Sequence, residues 1–458
     1  MTDTSMGRAT EPDGAPRIAS LDVLRGLAIL GILFMNINDM GASLFSSFGD
    51  PRHIGWSSAD QVAWWLREVL ADGTARCLLE MLFGVGMVIL TDRFATQAER
   101  GAVMRRYYVR NLVLFAFGLI HIFILLWPGD ILHTYGIAAL VAFLFRKRSA
   151  KALLGIGLSM ALLQLLGGGI GGAFIQHQRA EAVRMEAKAA TGAALTPDER
   201  KTLASVEKQR AASAQAKAVE NARVAREDGW RRASTGSFAT WAHSAWTSIF
   251  FLWGVSDGIG GAMFLEWLFV WEAAATMLVG AALYKWGIIQ GSRSRRFYVA
   301  TLVVGYAIGL GGRIVAANAQ MQFLPGPQLI GAFGEVMRLA TTLGHVALVH
   351  LLLSSAGGAR LLQPFVAAGR TALSIYVAQT ILCLWILYPP FALGLYGTQG
   401  WASLMLSALA INAGLLWGAN VYLRHFAIAP VEWAWRSIIA ARLLPIVRGT
   451  RIDRPVTA

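Results

Sequence analysis

Leu21-Asp22-Val23-Leu24-Arg25-Gly26-Leu27-Ala28-Ile29-Leu30-Gly31-Ile32-Leu33-Phe34-Met35-Asn36 carries only three strongly polar side chains, Asp22, Arg25 and Asn36. Wound as a helix at about 100° per residue, Arg25 and Asn36 point within about 20° of one another and Asp22 lies about 60° from Arg25. One polar stripe therefore runs the length of an otherwise apolar cylinder. With its flanks, such a helix spans hydrocarbon, and its stripe turns to protein or to a watery interior. Gly26 and Gly31 leave room for a neighbouring helix.

Similar apolar runs recur at 78–90, 112–126, 131–145, 153–174, 249–284, 299–314, 329–353, 373–387 and 404–417. Hydrophobic residues make up 55% of the chain and charged residues only 15%, too few to clothe a water-soluble globule. The fold class expected is all-α: a polytopic membrane bundle of ten helices, or eleven if both halves of 241–284 cross. Because the flanking charges call for an odd number of crossings there, one full span is expected at about Leu265 to Tyr284. Trp241 to Ala262, with Gly254, Asp257, Gly258, Gly260 and Gly261, is expected to lie in the interface or enter partway.

The formal charge of +14 does not mark a nucleic-acid binder, since the basic residues gather at the ends of apolar runs rather than on one face. Clusters at Arg100 to Arg110, Arg146 to Lys151, Arg293 to Arg296 and Arg424 to Arg448 are expected to face the cytoplasm, with both termini. Residues 1–16 read as a polar cytoplasmic tail without the apolar core of a signal peptide. The expected organisation is that tail, an amino-terminal bundle of about five helices over 17–174, a charged extracytoplasmic helical insertion over 175–240, a carboxyl-terminal bundle over 241–440 and a cytoplasmic tail over 441–458. The insertion is rich in Ala, Glu, Lys, Arg and Gln with no Leu or Ile heptad. It covers the outer vestibule or is an expendable addition. Cys77 and Cys383 sit in separate apolar runs, and no ligand spacing for a metal is present.

Ionisable and amide groups within spans are costly and mark candidates. Arg25 either pairs with Asp22 or turns its guanidinium to an anion such as a phosphate. Asn36 is structural or donates to an oxyanion. His53, in the polar loop after the first span, is a general base or a surface residue; Trp56, Trp64 and Trp65 read as interfacial anchors. Arg76 and Glu80, four apart, read as a self-satisfying pair. His121 and the following Asp130, His133 and Tyr135 fall at the depth of Asn36 and suit acid–base chemistry or a proton pathway. Arg370 opens a helix on which Tyr376 and Gln379 point together and line an interior. Glu432 and Arg436 read as a structural pair on a final interfacial helix that Pro430 starts.

Residues 17–32 followed by Asn36, Leu82-Phe83-Gly84-Val85-Gly86, the His121 to Tyr135 hairpin, Leu278-Val279-Gly280 with Leu283-Tyr284, Gly369 to Gln379 and Phe426 to Arg436 appear in an order that resembles the YeiB-like family of bacterial inner-membrane proteins (domain of unknown function 418). The resemblance covers about residues 17 to 440. The amino-terminal half is also similar to the transmembrane acyltransferases typified by heparan-alpha-glucosaminide N-acetyltransferase, through Asp22, Arg25, Gly26, Asn36, His53 and Trp56. This likeness implies a bacterial inner-membrane enzyme that takes acyl-coenzyme A, with acetyl-coenzyme A as one donor, from the cytoplasm. It implies Asp22, Arg25, Arg370, Tyr376 and Gln379 along the donor, His53 as base, Asn36 at the oxyanion, and a glycan, lipid or metabolite as extracytoplasmic acceptor. His121 or His133 are alternative bases. No metal or nucleic acid is expected; membrane lipids and a second copy of the chain are the other expected partners. The competing expectations are a transporter or exporter of a lipid or small metabolite, and a non-catalytic scaffold whose insertion binds a partner.

Overall fold

A computed structural model of the chain describes residues 19–47, 50–95, 100–233, 237–252, 259–323 and 328–447. The tail expected at 1–16, the residues after 447, and Gly254, Asp257 and Gly258 lie outside the described residues. Helices follow one another in the order α1 (Ala19–Gly41), α2 (Leu44–Ser47), α3 (Ser58–Leu70), α4 (Thr74–Ala95), α5 (Arg100–Phe123), α6 (Leu132–Phe143), α7 (Ala150–Gly157), α8 (Ser159–Ala190) and α9 (Pro197–Ala233). The second half continues with α10 (Phe238–Leu252), α11 (Ile259–Lys285), α12 (Arg295–Gln320), α13 (Gly334–Leu353), α14 (Ala356–Arg370), α15 (Ala372–Ile381), α16 (Trp401–His425) and α17 (Pro430–Ala440). Among the described residues the β structure is one isolated bridge between Phe426 and Val447.

The chain is an all-helical bundle that crosses the membrane several times. Among the described residues seven stretches are long and apolar enough to do so: α1, Ser58–Thr91, Ala150–Ala190, Glu266–Lys285, α12, Leu329–Leu353 and α16. An eighth exists if α14 and the run Ala372–Leu387 count as one span bent by 77°. The expected helix opening at Gly369-Arg370 is thus corrected: these residues close α14, and Thr371 is the corner. The hairpin α5–α6 stands outside this count, because α5 opens on Arg100, Arg105, Arg106 and Arg110 and α6 has only 12 residues.

The outward-facing side chains carry the membrane argument independently of length. Only 11% of the apolar window of α12, 17% of that in Ala150–Ala190 and 22% of that in α16 is buried. Val303 and Val304 of α12, Ile170 of α8 and Leu406 of α16 stand exposed. A surface this apolar is stable against lipid and not against water. The charged insertion is continuous with its span: α8 has 32 residues, about 48 Å of helix against about 30 Å of hydrocarbon. α9 folds back along it, held by Lys188 to Glu199 at 2.8 Å and Arg210 to Glu186 at 2.7 Å.

Two close backbone crossings set the interior. A Cβ on Gly84 of α4 would lie 1.7 Å from the carbonyl oxygen of Met277 in α11, and one on Gly280 of α11 would lie 2.1 Å from that of Met81. Gly26 of α1 and Gly369 of α14 repeat the arrangement against Phe365 and Asp22. Replacing Gly84 by Val forces these helices apart and should cost about 2–3 kcal/mol or prevent folding. Gly86→Ala, where the nearest atom to the new Cβ is an arginine nitrogen at 3.9 Å, should leave thermal unfolding of the purified protein unchanged.

Candidate functional site

On α1, Asp22 is buried and accepts from Arg25 at 3.1 Å, yet the Arg25 side chain keeps 39% of its surface exposed. The pair is therefore real without exhausting the guanidinium. Asn36 is half-buried and its amide has no side-chain hydrogen bond among the described residues. Beside it, Arg67 of α3 reaches back to the carbonyl oxygens of Phe34 and Met35 at 3.3 and 3.4 Å.

The loop beyond α1 is built, not loose. Asp50 caps a 3-10 turn, Pro51–Ile54. Trp401 donates to the Pro51 carbonyl at 2.8 Å, and Ser57 and Asp60 form a capping box that starts α3. Asp60 also accepts from the amide of Ala402 at 2.9 Å, so the loop is pinned to the start of α16. His53 is exposed on this turn, with Nε2 3.0 Å from Oδ1 of Asn221 in α9. Glu220 accepts from the Asp50 amide and Lys217 lies 3.1 Å from the Asp50 carboxylate. Hydrogen bonds from Arg52, with Lys217 beside it, hold that carboxyl well below the usual carboxylate range. Glu227 binds the hydroxyls of Ser43 and Ser248, so α9 clasps the loop. Of the three tryptophans read as anchors, Trp64 is instead buried, in edge contact with Trp56 at 5.5 Å.

His121, Asp130 and His133 come together as a closed group. Asp130 Oδ1 lies 2.7 Å from His121 Nδ1, and Oδ2 lies 3.0 Å from His133 Nδ1 while accepting the His133 amide at 2.9 Å. With a proton on Nδ1, His121 Nε2 accepts from the Thr380 hydroxyl at 2.8 Å. His133 Nε2 faces Glu266 at 3.3 Å. Tyr376 packs its ring 4.7 Å from that of His121 and its hydroxyl accepts from the Ile131 amide. Gln379 donates to the Ile29 carbonyl and to Asn412, tying α15 to α1 and α16. Arg370 reaches the Ala427 carbonyl at 3.4 Å. Tyr135 turns away, its hydroxyl donating to the Arg76 carbonyl at 3.2 Å. Glu432 does not turn to Arg436 as read from their spacing. It accepts from the amides of Leu373 and Ser374 and from the Ser374 hydroxyl, capping the first turn of α15.

The largest charged constellation was only partly visible in the sequence. The Arg76–Glu80 contact is long, 3.6 Å, and each residue has a nearer partner elsewhere. Arg338 of α13 meets Glu80 at 3.0 Å, Glu272 of α11 at 2.6 Å and Glu335 at 2.7 Å, and donates to Thr276. Arg76 meets Glu272 at 2.8 Å. A second group adjoins: Arg67 pairs with Glu68 and Asp72, and Arg313 of α12 donates to the carbonyls of Glu68, Val69 and Asp72. Of these groups Glu68, Asp72, Arg76, Glu272, Arg313, Glu335 and Arg338 line a cavity of about 570 Å³, which Met160, Leu163 and Gln164 of α8, Leu268 and Phe269 of α11 and Gln320 of α12 also line. The available signal was Glu335 and Arg338, three apart inside an apolar run, a spacing that pairs on a helix. Tyr376, Gln379 and Arg370 do not line this cavity, and His345 and His350 bond instead to the carbonyls of Leu70 and Ile289.

Helical spans around a charged interior define a multi-pass membrane protein. The signature described as "Protein of unknown function (DUF418)" matches residues 283–442. The "Uncharacterized protein YxaH" of Bacillus subtilis (strain 168) is 30% identical over 450 residues, covering 95% of this chain and 97% of the relative. The "Uncharacterized protein YeiB" of Escherichia coli (strain K12) is 27% identical over 446 residues, 95% and 99% of the two chains. A shorter match, 34% over 131 residues, covers 29% of this chain and 34% of the "Uncharacterized 39.9 kDa protein in amylase 3'region" of Bacillus acidopullulyticus. The chain belongs to the DUF418, or YeiB-like, family. No solved structure matches it.

Arg338 is the shared cation of three carboxylates, so Arg338→Met should destabilise the protein by about 3–5 kcal/mol, read as a large fall in its thermal midpoint. Arg25→Ala, which removes a part-exposed partner, should cost about 1 kcal/mol or less.

Proposed function

We propose that this chain is a membrane acyltransferase that moves an acyl group, acetyl among them, from acyl-coenzyme A to a hydroxyl or amine at the end of the bundle carrying the insertion. The observation that carries the reading is the stripe on α1. Arg25 keeps guanidinium surface exposed at one end, and eleven residues on, roughly 16 Å along the helix, Asn36 keeps an uncommitted amide. A guanidinium fork suits the donor's phosphates, and an amide donor suits the oxyanion formed at its thioester. Asp22 orients Arg25.

His53 is the base in this reading. Its Nε2, held by Asn221, leaves Nδ1 to take the acceptor's proton as the acceptor oxygen or nitrogen attacks the thioester carbonyl. The coenzyme A thiolate leaves and is protonated in turn. The pinned loop supports this role, since a base needs a fixed position. His121, Asp130 and His133 are held by one another and by Thr380 and Glu266, and in this reading they serve as packing for the hairpin, with Arg370, Tyr376 and Gln379 tying α15 in place. In the full topology the eight stretches and the hairpin helices α5 and α6 make ten spans. In this reading the basic clusters face the cytoplasm, so both termini lie on the cytoplasmic side of a bacterial inner membrane, with the insertion outside and a glycan, lipid or metabolite acceptor beside it. Transport is the second reading, and the charged cavity among the helices favours it.

Calorimetric titration of acetyl-coenzyme A into the detergent-purified protein should give saturable binding, weakened about tenfold or more by Arg25→Ala. His53→Ala should abolish acyl transfer while leaving the thermal midpoint within a degree or so of wild type, since exposed polar side chains contribute little to stability. Absence of binding by folded protein, together with solute uptake into proteoliposomes lacking any acyl donor, would transfer the assignment to transport.

A further inference from the structure

α10 has 15 residues, about 22 Å of helix, too short to cross about 30 Å of hydrocarbon. It is fastened where two apolar runs end. Trp246 donates to the carbonyl of Phe123, the last residue of α5, at 3.3 Å. Phe238 packs 5.4 Å from Trp385, near the end of Ala372–Leu387, and 5.9 Å from Phe391. One face of the helix, with Trp241, Ser244, Ser248 and Ile249, is buried against the protein. The other presents Trp246 and Phe250, one turn apart, which stand exposed with Phe238 and continue the exposed surface of Ile120 and Ile124 at the end of α5. An aromatic face that continues a lipid-facing surface at the end of the spans belongs in the headgroup layer.

The same helix is tied to His53 through α9. Glu227 of α9 accepts from Ser248 of α10 at 3.2 Å and from Ser43, which opens the loop to His53. Six residues earlier, about 9 Å along α9, Asn221 holds His53 itself. Tyr396 donates to Asp228 and meets the Trp241 ring of α10 at 5.7 Å. The residues lining the charged cavity include none from α9, α10 or the turn that carries His53. The surface adjoining the base is thus the aromatic face of α10.

We propose that the acceptor is a membrane phospholipid whose headgroup carries a hydroxyl or an amine, brought to His53 along α10. The inference rests on the acyl-transfer reading and narrows its acceptor to one class. Confinement to the headgroup layer supplies the proximity that a soluble acceptor would have to gain from a binding pocket. The headgroup oxygen or neutral nitrogen attacks the thioester carbonyl and passes its proton to His53. The carbon–sulfur bond breaks, an ester or amide forms, and the coenzyme A thiolate takes up a proton.

The test supplies acetyl-coenzyme A, labelled in its acetyl group, to the full-length protein in lipid nanodiscs and counts label in the organic extract. Discs of phosphatidylethanolamine and phosphatidylglycerol should become labelled. Discs of phosphatidylcholine, whose headgroup has neither hydroxyl nor amine, should not, and free ethanolamine and glycerol added to them should stay unlabelled. Phe250→Asp sets a carboxylate on the exposed face of α10 and should lower lipid labelling about tenfold or more while acetyl-coenzyme A still binds as to wild type. Three results overturn the inference and leave the acyl-transfer reading standing: unlabelled lipid with protein that binds acetyl-coenzyme A, labelling of free ethanolamine or glycerol equal to that of lipid, or lipid labelling untouched by Phe250→Asp. Failure of folded wild type to bind acetyl-coenzyme A removes that reading, and the phospholipid acceptor with it.

Discussion

Arg338 holds the bundle's interior in register. Its guanidinium takes Glu80 from α4, Glu272 from α11 and Glu335 from its own helix, and through Glu272 it is joined to Arg76. No one of these side chains is tolerable alone in hydrocarbon, so the helices that carry them must assemble together. The same atoms then create the cavity, because a fan of ion pairs needs more width than interdigitated aliphatic side chains.

Between the charged layers the helices are brought together by the absence of side chains. Gly84 against Met277 and Gly280 against Met81 put two backbones in contact, and Gly26 and Gly369 do the same for α1 and α14. Membrane helices gain little from burying leucine against leucine in place of lipid, so close van der Waals approach and polar bonds carry the association. Gln379 and Asn412 belong to this economy, each reaching a carbonyl of α1. Glu432 belongs to it as well: the corner at Thr371 leaves the first amides of α15 without helical partners, and the carboxylate of α17 takes them.

At the insertion-bearing end, the organisation depends on α9. Lys217, Glu220, Asn221 and Glu227 all lie on its returning half, and together they hold the loop that carries His53. Tyr396, in the loop before α16, meets Asp228 of the same helix. The insertion is therefore part of the architecture around His53 rather than an appendage, which sharpens the two alternatives the sequence had left for it.

Hydropathy determined that the chain is an all-helical membrane protein, and it placed most of the spans, because the thickness of hydrocarbon dictates the length of any crossing segment. The polar stripe on α1 and the pairing of Asp22 with Arg25 were likewise legible, since three-residue spacing on a helix is local information. The corner at Thr371 was not, because nothing in the residues around Gly369 forbids a straight helix; α1 and Glu432, packed against that point, impose the bend. Nor was the true partner of Arg76. Spacing offered Glu80, four residues on, but a long side chain in a bundle chooses among every carboxylate within reach, and Glu272, 196 residues away in the chain, is the nearer one. Local periodicity sets what each helix is; which charges meet between helices, and the cavity they enclose, follow only from how the helices cross.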